Sequence, residues 1–161
     1  MSSPSEIRRD ALRRALELAC ESALSPGGGP FGAVILRDGE VIAEGTNRVT
    51  GTCDPTAHAE IVAIRRACER LGTHELAGCE ILSSCEPCPM CLAAIEWARL
   101  ERLGFAGTRE GARRAGFDDE RLYNQLALPP EQRSLPTFRD LAGEGDRPFE
   151  LWLANDERTH Y

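Results

Sequence analysis

Between residues 29 and 107 the apolar period switches back and forth between two and about 3.6, an alternation that admits few architectures. Phe31 to Leu36 is a continuous β-prone run, Arg37-Asp38-Gly39-Glu40 carries an Asp-Gly turn pair, and Val41 to Gly45 resumes the strand. That spacing predicts a hairpin. Next, a polar loop from Thr46 to Thr56 leads into a segment from His58 to Leu71 that puts Ile61, Ile64, Cys68 and Leu71 on one helical face, ended by Gly72. A short strand over Glu80 to Ser84, a helix over Pro89 to Leu100 and a strand over Leu103 to Gly107 follow. Ahead of the hairpin, Ser3-Pro4-Ser5-Glu6 forms a capping box for a first helix that Ser25-Pro26-Gly27-Gly28-Gly29-Pro30 stops. A helix, an antiparallel pair and then strands alternating with helices call for a mixed sheet between helical layers, a three-layer α/β sandwich.

A chain of 161 residues suits a single domain, 1–161, and no repeat, low-complexity stretch or linker divides it. After Arg109 the periodicity weakens: one helix to about Gly116, a short one over Asp119 to Leu126, and a loop over Leu128 to Pro136 broken by Pro129-Pro130. The closing segment from Arg147 holds Phe149, Leu151, Trp152 and Leu153 and reads as a helix apolar enough to need a docking surface.

All 19 basic residues are arginine, so catalysis through a lysine amine or a Schiff base has no residue to use. The net charge of −7 disfavours a nonspecific polyanion binder, whose affinity comes from positive charge. Met1 to Asp10 contain no apolar signal-peptide core, and no run approaches the length of a membrane span. The expected setting is therefore a reducing cytoplasm, where a C-x-x-C spacing among seven cysteines reads as metal or redox chemistry before disulfide scaffold.

The chemistry concentrates in His58-Ala59-Glu60 and, about thirty residues later, Pro87-Cys88-Pro89-Met90-Cys91. Both fragments fall at helix starts. Cys88 and Cys91 are three apart, so a first helical turn aims both sulfurs the same way, and the orphan N–H groups there favour thiolate. Pro89 costs nothing at that position, because the missing N–H had no partner. One imidazole and two thiolates are three zinc ligands, which leaves a fourth tetrahedral position for water, as in a catalytic site. Glu60, near the metal without ligating it, can take a proton from water and return it.

Two plainer uses of the same residues are a dithiol redox pair and a structural zinc knuckle, for which Cys85 is a conceivable fourth ligand. Cys20, Cys53, Cys68, Cys79 and Cys85 otherwise read as small buried or loop residues, and His74 as solvated.

The H-x-E…P-C-x-x-C pattern is that of the zinc nucleobase deaminases. The likeness extends further, since Gly29-Pro-Phe-Gly-Ala-Val-Ile, Asp54-Pro-Thr-Ala-His-Ala-Glu, Ser84-Cys-Glu-Pro-Cys-Pro-Met-Cys-Leu and Ala115-Gly-Phe-Asp-Asp resemble the bacterial guanine deaminases of the cytidine deaminase superfamily. The resemblance covers nearly the whole chain, including its aromatic tail. It implies a three-layer α-β-α sandwich with a mixed five-stranded sheet, one zinc per subunit held by His58, Cys88 and Cys91, and Glu60 as proton shuttle. The implied reaction is hydrolysis of guanine to xanthine and ammonia.

The resemblance also implies a homodimer in which residues 146–161 swap onto the partner and Tyr161 joins a lid over its site. Asn47 matches a side chain that hydrogen-bonds the base, Asp119 the carboxylate that accepts from guanine N–H groups, and Phe31 and Trp97 aromatic pocket residues. Each has a plainer use: Asn47 as a turn residue, Asp119 or Asp118 as a helix N-cap, and Trp97 as core. Glu86 and Glu150 are candidate accessory acids, the latter because an acid in so apolar a tail is costly to bury unpaired. Alternatives within the enzyme class are deamination of guanosine, cytosine or a triazine, and a tRNA adenosine deaminase, which the charge disfavours. Outside it stands a zinc-binding dimeric interaction module.

Overall fold

The computed structural model describes residues 3–160, so Tyr161 lies outside the described residues. Helix α1 (Pro4–Ala23) starts as its sequence dictates, with the Ser3 hydroxyl accepting from Glu6 N–H and the Glu6 carboxylate accepting from Ser3 N–H. Strands β1 (Gly29–Arg37) and β2 (Glu40–Asn47) form the hairpin. A short helix α2 (Val49–Thr52) interrupts the stretch read as loop, and α3 (Ala59–Leu71) follows, closed by Gly72 in the left-handed conformation at φ 65°. Then come β3 (Cys79–Cys85), α4 (Pro89–Trp97), β4 (Arg102–Gly107) and α5 (Arg109–Arg114).

The sheet runs β2-β1-β3-β4, antiparallel at its first two pairings and parallel between β3 and β4. It is mixed, as expected, but has four strands among the described residues rather than five. Thr108 caps α5 directly after β4, accepting from Gly111 N–H, the chain then turns at Gly116, and among the described residues no strand follows β4.

The central strand β1 is buried on both faces, which explains its unbroken apolar run. Val34, Leu36 and Leu82 pack with Ala11, Ala15 and Leu18 of α1 on one face. Ala33, Ile35, Ala43 and Ile81 pack with Ala59, Ala63 and Ala67 of α3, and with Ile95 of α4, on the other. This is the three-layer arrangement. Small residues let the helices sit close. A Cβ at Gly32 would lie 2.3 Å from Ala15 O, and one at Gly45 would lie 2.1 Å from Ala59 O. The second approach fixes the start of α3 against β2. Two bidentate pairs pin α1 to the sheet, Arg8 to Glu80 on β3 and Arg14 to Glu44 on β2.

All seven cysteines are free. Cys79 is buried, Cys68 and Cys85 are half-buried and Cys53 sits in a loop, but Cys20 is exposed on α1, because its helical position misses the stripe of Ala11, Ala15 and Leu18. His74 is exposed, as expected.

The chain resolves into two compact units, Met1–Asp119 and Glu120–Tyr161. The second contains α6 (Glu120–Leu126), a 3-10 turn (Pro130–Gln132) and α7 (Arg147–Ala154). Neither helix buries a residue, and Phe149, Leu151, Trp152 and Leu153 of α7 are all exposed. Within the unit, Arg133 donates to Leu128 O and Gln125 accepts from Ser134 N–H.

Candidate metal centre

Two helix starts meet on the α3 side of the sheet. His58 is the N-cap of α3 and Cys88 the N-cap of α4, both in extended backbone, and neither side chain caps its own helix. They turn to one another instead. Cys88 Sγ lies 3.6 Å from His58 Nδ1, and Cys91 Sγ, one turn into α4, lies 3.5 Å from the same nitrogen. The three donor atoms all fall within 4.8 Å of one another.

These spacings can be tested against a tetrahedral zinc. Zn–S bonds of about 2.3 Å and Zn–N of about 2.0 Å at the tetrahedral angle separate sulfur from nitrogen by about 3.5 Å. The structure gives 3.6 and 3.5 Å. One imidazole and two thiols at these distances fit a zinc ion with one coordination position left for a small molecule. Cys85 is not part of this set. It stands at the end of β3 with Sγ 3.5 Å from Thr108 O, which removes it as a fourth ligand.

The electrostatics suit a cation. Hydrogen bonding from Cys91, followed by that from His58, lowers the Cys88 thiol to about 4, which favours the thiolate form of this sulfur. Cys91, which donates to Cys88 and is buried beside Glu60, is pushed far up. His58 is raised, chiefly by Cys88. Burial raises Glu60, whose residue is only 6% exposed.

Glu60 occupies the first turn of α3, two residues after His58. Its Oε2 lies 3.5 Å from Cys91 Sγ and its Oε1 accepts from the Ser83 hydroxyl at 3.3 Å. The carboxylate thus flanks the three donors without joining them, the position a proton carrier needs.

The surrounding candidates divide. Asn47 ends β2, where its Oδ1 accepts from Val49 N–H at 3.3 Å and its amide lies over Gly29, where an added Cβ would be 3.1 Å from Oδ1. Asp119, just before α6, accepts from Arg109 Nε at 3.2 Å. Arg109 N–H in turn donates to Glu86 Oε2 at 3.3 Å, while Glu86 N–H donates to Gly107 O. Phe31 meets Phe117 edge to face, with ring centroids 4.9 Å apart, and this contact holds the Phe117-Asp118-Asp119 segment against the start of β1.

Trp97 is not brought to the donors within this chain. It is the last residue of α4, 66% exposed and six residues beyond Cys91, which is about 9 Å along the helix axis. Glu150 is exposed on α7 in the second unit. Sequence reasoning missed Ser83, Arg109 and Phe117. The period of two along β3 puts residues 81, 83 and 85 on one face, and that signal could have found Ser83.

Residues 5–106 match the family model for the cytidine and deoxycytidylate deaminase zinc-binding region. Over 150 residues the chain is 50% identical to a guanine deaminase of Bacillus subtilis (strain 168), covering 93% of this chain and 96% of that protein. The X-ray structure of guanine deaminase from Bacillus subtilis superposes with a TM-score of 0.93 at 46% identity, over 95% of this chain and 98% of that one. A tRNA-specific adenosine deaminase of Aquifex aeolicus (strain VF5) is 45% identical over 84 residues, covering 52% of this chain and 56% of that protein.

Proposed function

Because the chain belongs to the cytidine and deoxycytidylate deaminase family, we propose that it is a zinc-dependent aminohydrolase converting guanine and water to xanthine and ammonia. The observation that carries this reading is Glu60 Oε2 at 3.5 Å from Cys91 Sγ, beside three donors spaced for zinc. A structural metal has no use for a buried carboxylate at its side. Likeness to a guanine deaminase along almost the full chain supports guanine as the substrate, whereas likeness to tRNA-specific adenosine deaminases spans less of it, 52% in one and 77%, at 37% identity, in another.

His58, Cys88 and Cys91 hold one zinc per subunit. When bound, zinc supplies a water acidic enough to attack the ring carbon that bears the amine. Glu60 takes the proton released and delivers it to the adjacent ring nitrogen. It then takes the remaining proton from the hydroxyl added to the ring carbon and passes it to the amine, so that the carbonyl of xanthine forms as the C–N bond breaks and ammonia leaves. Asn47 and Asp119 orient the base, the carboxylate accepting from guanine N–H groups, with Phe31 lining the pocket and Glu86 supporting it from behind. Trp97 and Tyr161 are assigned to the site on the family likeness alone, and Glu150, exposed on α7, on its place in an apolar tail.

The protein works as a homodimer in which residues 146–161 close over the partner's site, and the exposed apolar side chains of α7 support this. Seven free thiols suit a reducing cytoplasm. Among the described residues no helix is long and apolar enough to cross a membrane.

Ammonia release from guanine, guanosine, cytosine, cytidine, adenine and ammeline tests the substrate, with Glu60→Gln as control. Guanine is expected to turn over, and Glu60→Gln to lose about a thousandfold in kcat while keeping its zinc. Turnover of another base with guanine untouched overturns the substrate and keeps the chemistry. Zinc binding with no turnover at all favours a zinc-binding interaction module.

A further inference from the structure

We propose that Ser83 is a positioning residue for the reaction, its hydroxyl fixing the plane of the Glu60 carboxylate so that Oε2 faces the metal donors. The inference deepens the deaminase reading and rests on Glu60 as the proton carrier.

The geometry is specific. Ser83 sits on β3 and, by the pleat, shares a face with Ile81, which packs against α3. It pairs with Ala33 on β1 and Phe105 on β4, in the interior of the sheet. Its residue is 2% exposed and Glu60 is 6% exposed, so the contact between them is closed to bulk solvent. The Ser83 hydroxyl donates to Oε1 at 3.3 Å, while Oε2 lies 3.5 Å from Cys91 Sγ. The two oxygens therefore have different neighbours, one a hydroxyl from the sheet and the other a zinc ligand.

That asymmetry matters because the last torsion of glutamate is broad and roughly two-fold, unlike the staggered torsions nearer the backbone. Helix α3 places Cα and Cβ of Glu60, and the residue's own N–H hydrogen-bonds its carboxyl, but that contact is local to one residue and ties neither oxygen to the sheet. A hydroxyl anchored on an interior strand gives Oε1 that tie. With Oε1 tethered, the oxygen presented to the metal site is always Oε2, and proton transfer starts from one geometry rather than from a distribution. Ser84, the next residue, points to the opposite face, where its Oγ accepts from Gly32 N–H at 3.0 Å. The adjacent serines thus have separate tasks, one in the site and one in the backbone of β1.

The test compares Ser83→Ala and Ser83→Thr with the wild type, using whichever base the wild type deaminates. Ser83→Ala is expected to lower kcat by about tenfold or more with KM within about twofold and zinc content unchanged, as for loss of a hydrogen bond to a charged group, and Ser83→Thr to recover most of the rate. Zinc-loaded crystal structures give a readout independent of turnover: Glu60 Oε1 at the Ser83 hydroxyl in the wild type and a rotated or split carboxylate in Ser83→Ala. An unchanged kcat in Ser83→Ala, or an unmoved carboxylate, overturns the proposal. So does a loss that follows zinc content and that Ser83→Thr fails to repair, since that is packing. Failure of the deaminase reading looks different, because then the wild type itself turns over no base, and the crystal structures alone decide the role of Ser83.

Discussion

His58 Nδ1 and Cys91 Sγ, thirty-three positions apart in the chain, stand 3.5 Å from each other because α3 and α4 begin at the same place on one face of the sheet. Each brings its side chain from a helix start rather than a flexible loop, so the donor set is held by the packing of two helices. Zinc content is then expected to be about one per chain in the wild type and below about a tenth in His58→Ala or Cys91→Ser, measured by elemental analysis of purified protein. Cys85→Ser is expected to keep its zinc, because that sulfur faces Thr108 O.

Arg109 connects two acids of the site region, through its main chain to Glu86 and through Nε to Asp119. If Asp119 receives the N–H groups of guanine, its orientation depends on the guanidinium behind it. Arg109→Gln is expected to raise KM for guanine by about tenfold, with kcat within about threefold and zinc content unchanged. Arg109→Lys falls between, since an ammonium keeps the charge and loses the planar fork. Steady-state kinetics with guanine decide this, and an unaltered KM in Arg109→Gln removes the role.

Much of unit 1 could be read from the chain because local signals and global packing agree there. The Ser3-to-Glu6 box, the Asp38-Gly39 turn and the His58 and Cys88 helix starts all appear in the structure where their chemistry puts them. What escaped were contacts between residues far apart in sequence. Ser83 to Glu60, Arg109 to Asp119 and Phe31 to Phe117 depend on which elements become neighbours, and no local pattern encodes that. The expected fifth strand came from family likeness and not from any β-prone run, and the stretch after β4 holds two short helices, 109–114 and 120–126, joined by a turn at Gly116. Trp97 illustrates the same limit, since its helix is plain in the sequence but its distance from Cys91 along α4 follows only from where that helix sits.

Acid stability follows from the clamp of α1. The Arg8 guanidinium hydrogen-bonded to Glu80 holds that carboxyl below the usual carboxylate range. A carboxylate lowered in the folded state contributes stability that is present above its unfolded value, near pH 4.3, and lost as the pH falls through the folded one. Glu80→Gln is therefore expected to lower Tm by about 2 °C at pH 7, with the difference from wild type shrinking below about pH 4. Thermal melts of both proteins from pH 7 to pH 3 measure it. A Tm difference that is the same at both ends assigns the effect to packing and removes the ionic contribution.

The tail presents the sharpest separation between metal binding and turnover. Phe149, Leu151, Trp152 and Leu153 expose apolar surface on α7, while every metal donor and Glu60 belong to unit 1. If residues 146–161 act as a lid in the dimer, the two functions are carried by different parts of the chain. Removing the residues after Arg147 is then expected to leave zinc bound at about one per chain and to reduce kcat/KM for guanine by about a hundredfold or more, because an open site admits water and loses its enclosing contacts. A mixture of the truncated chain with a full-length Glu60→Gln chain should regain part of the activity, since each intact site would pair one chain's Glu60 with the other chain's tail. Full activity in the truncated protein sinks the lid. Recovery absent from the mixed dimer, with the truncation still inactive, shows that the tail closes over its own chain's site.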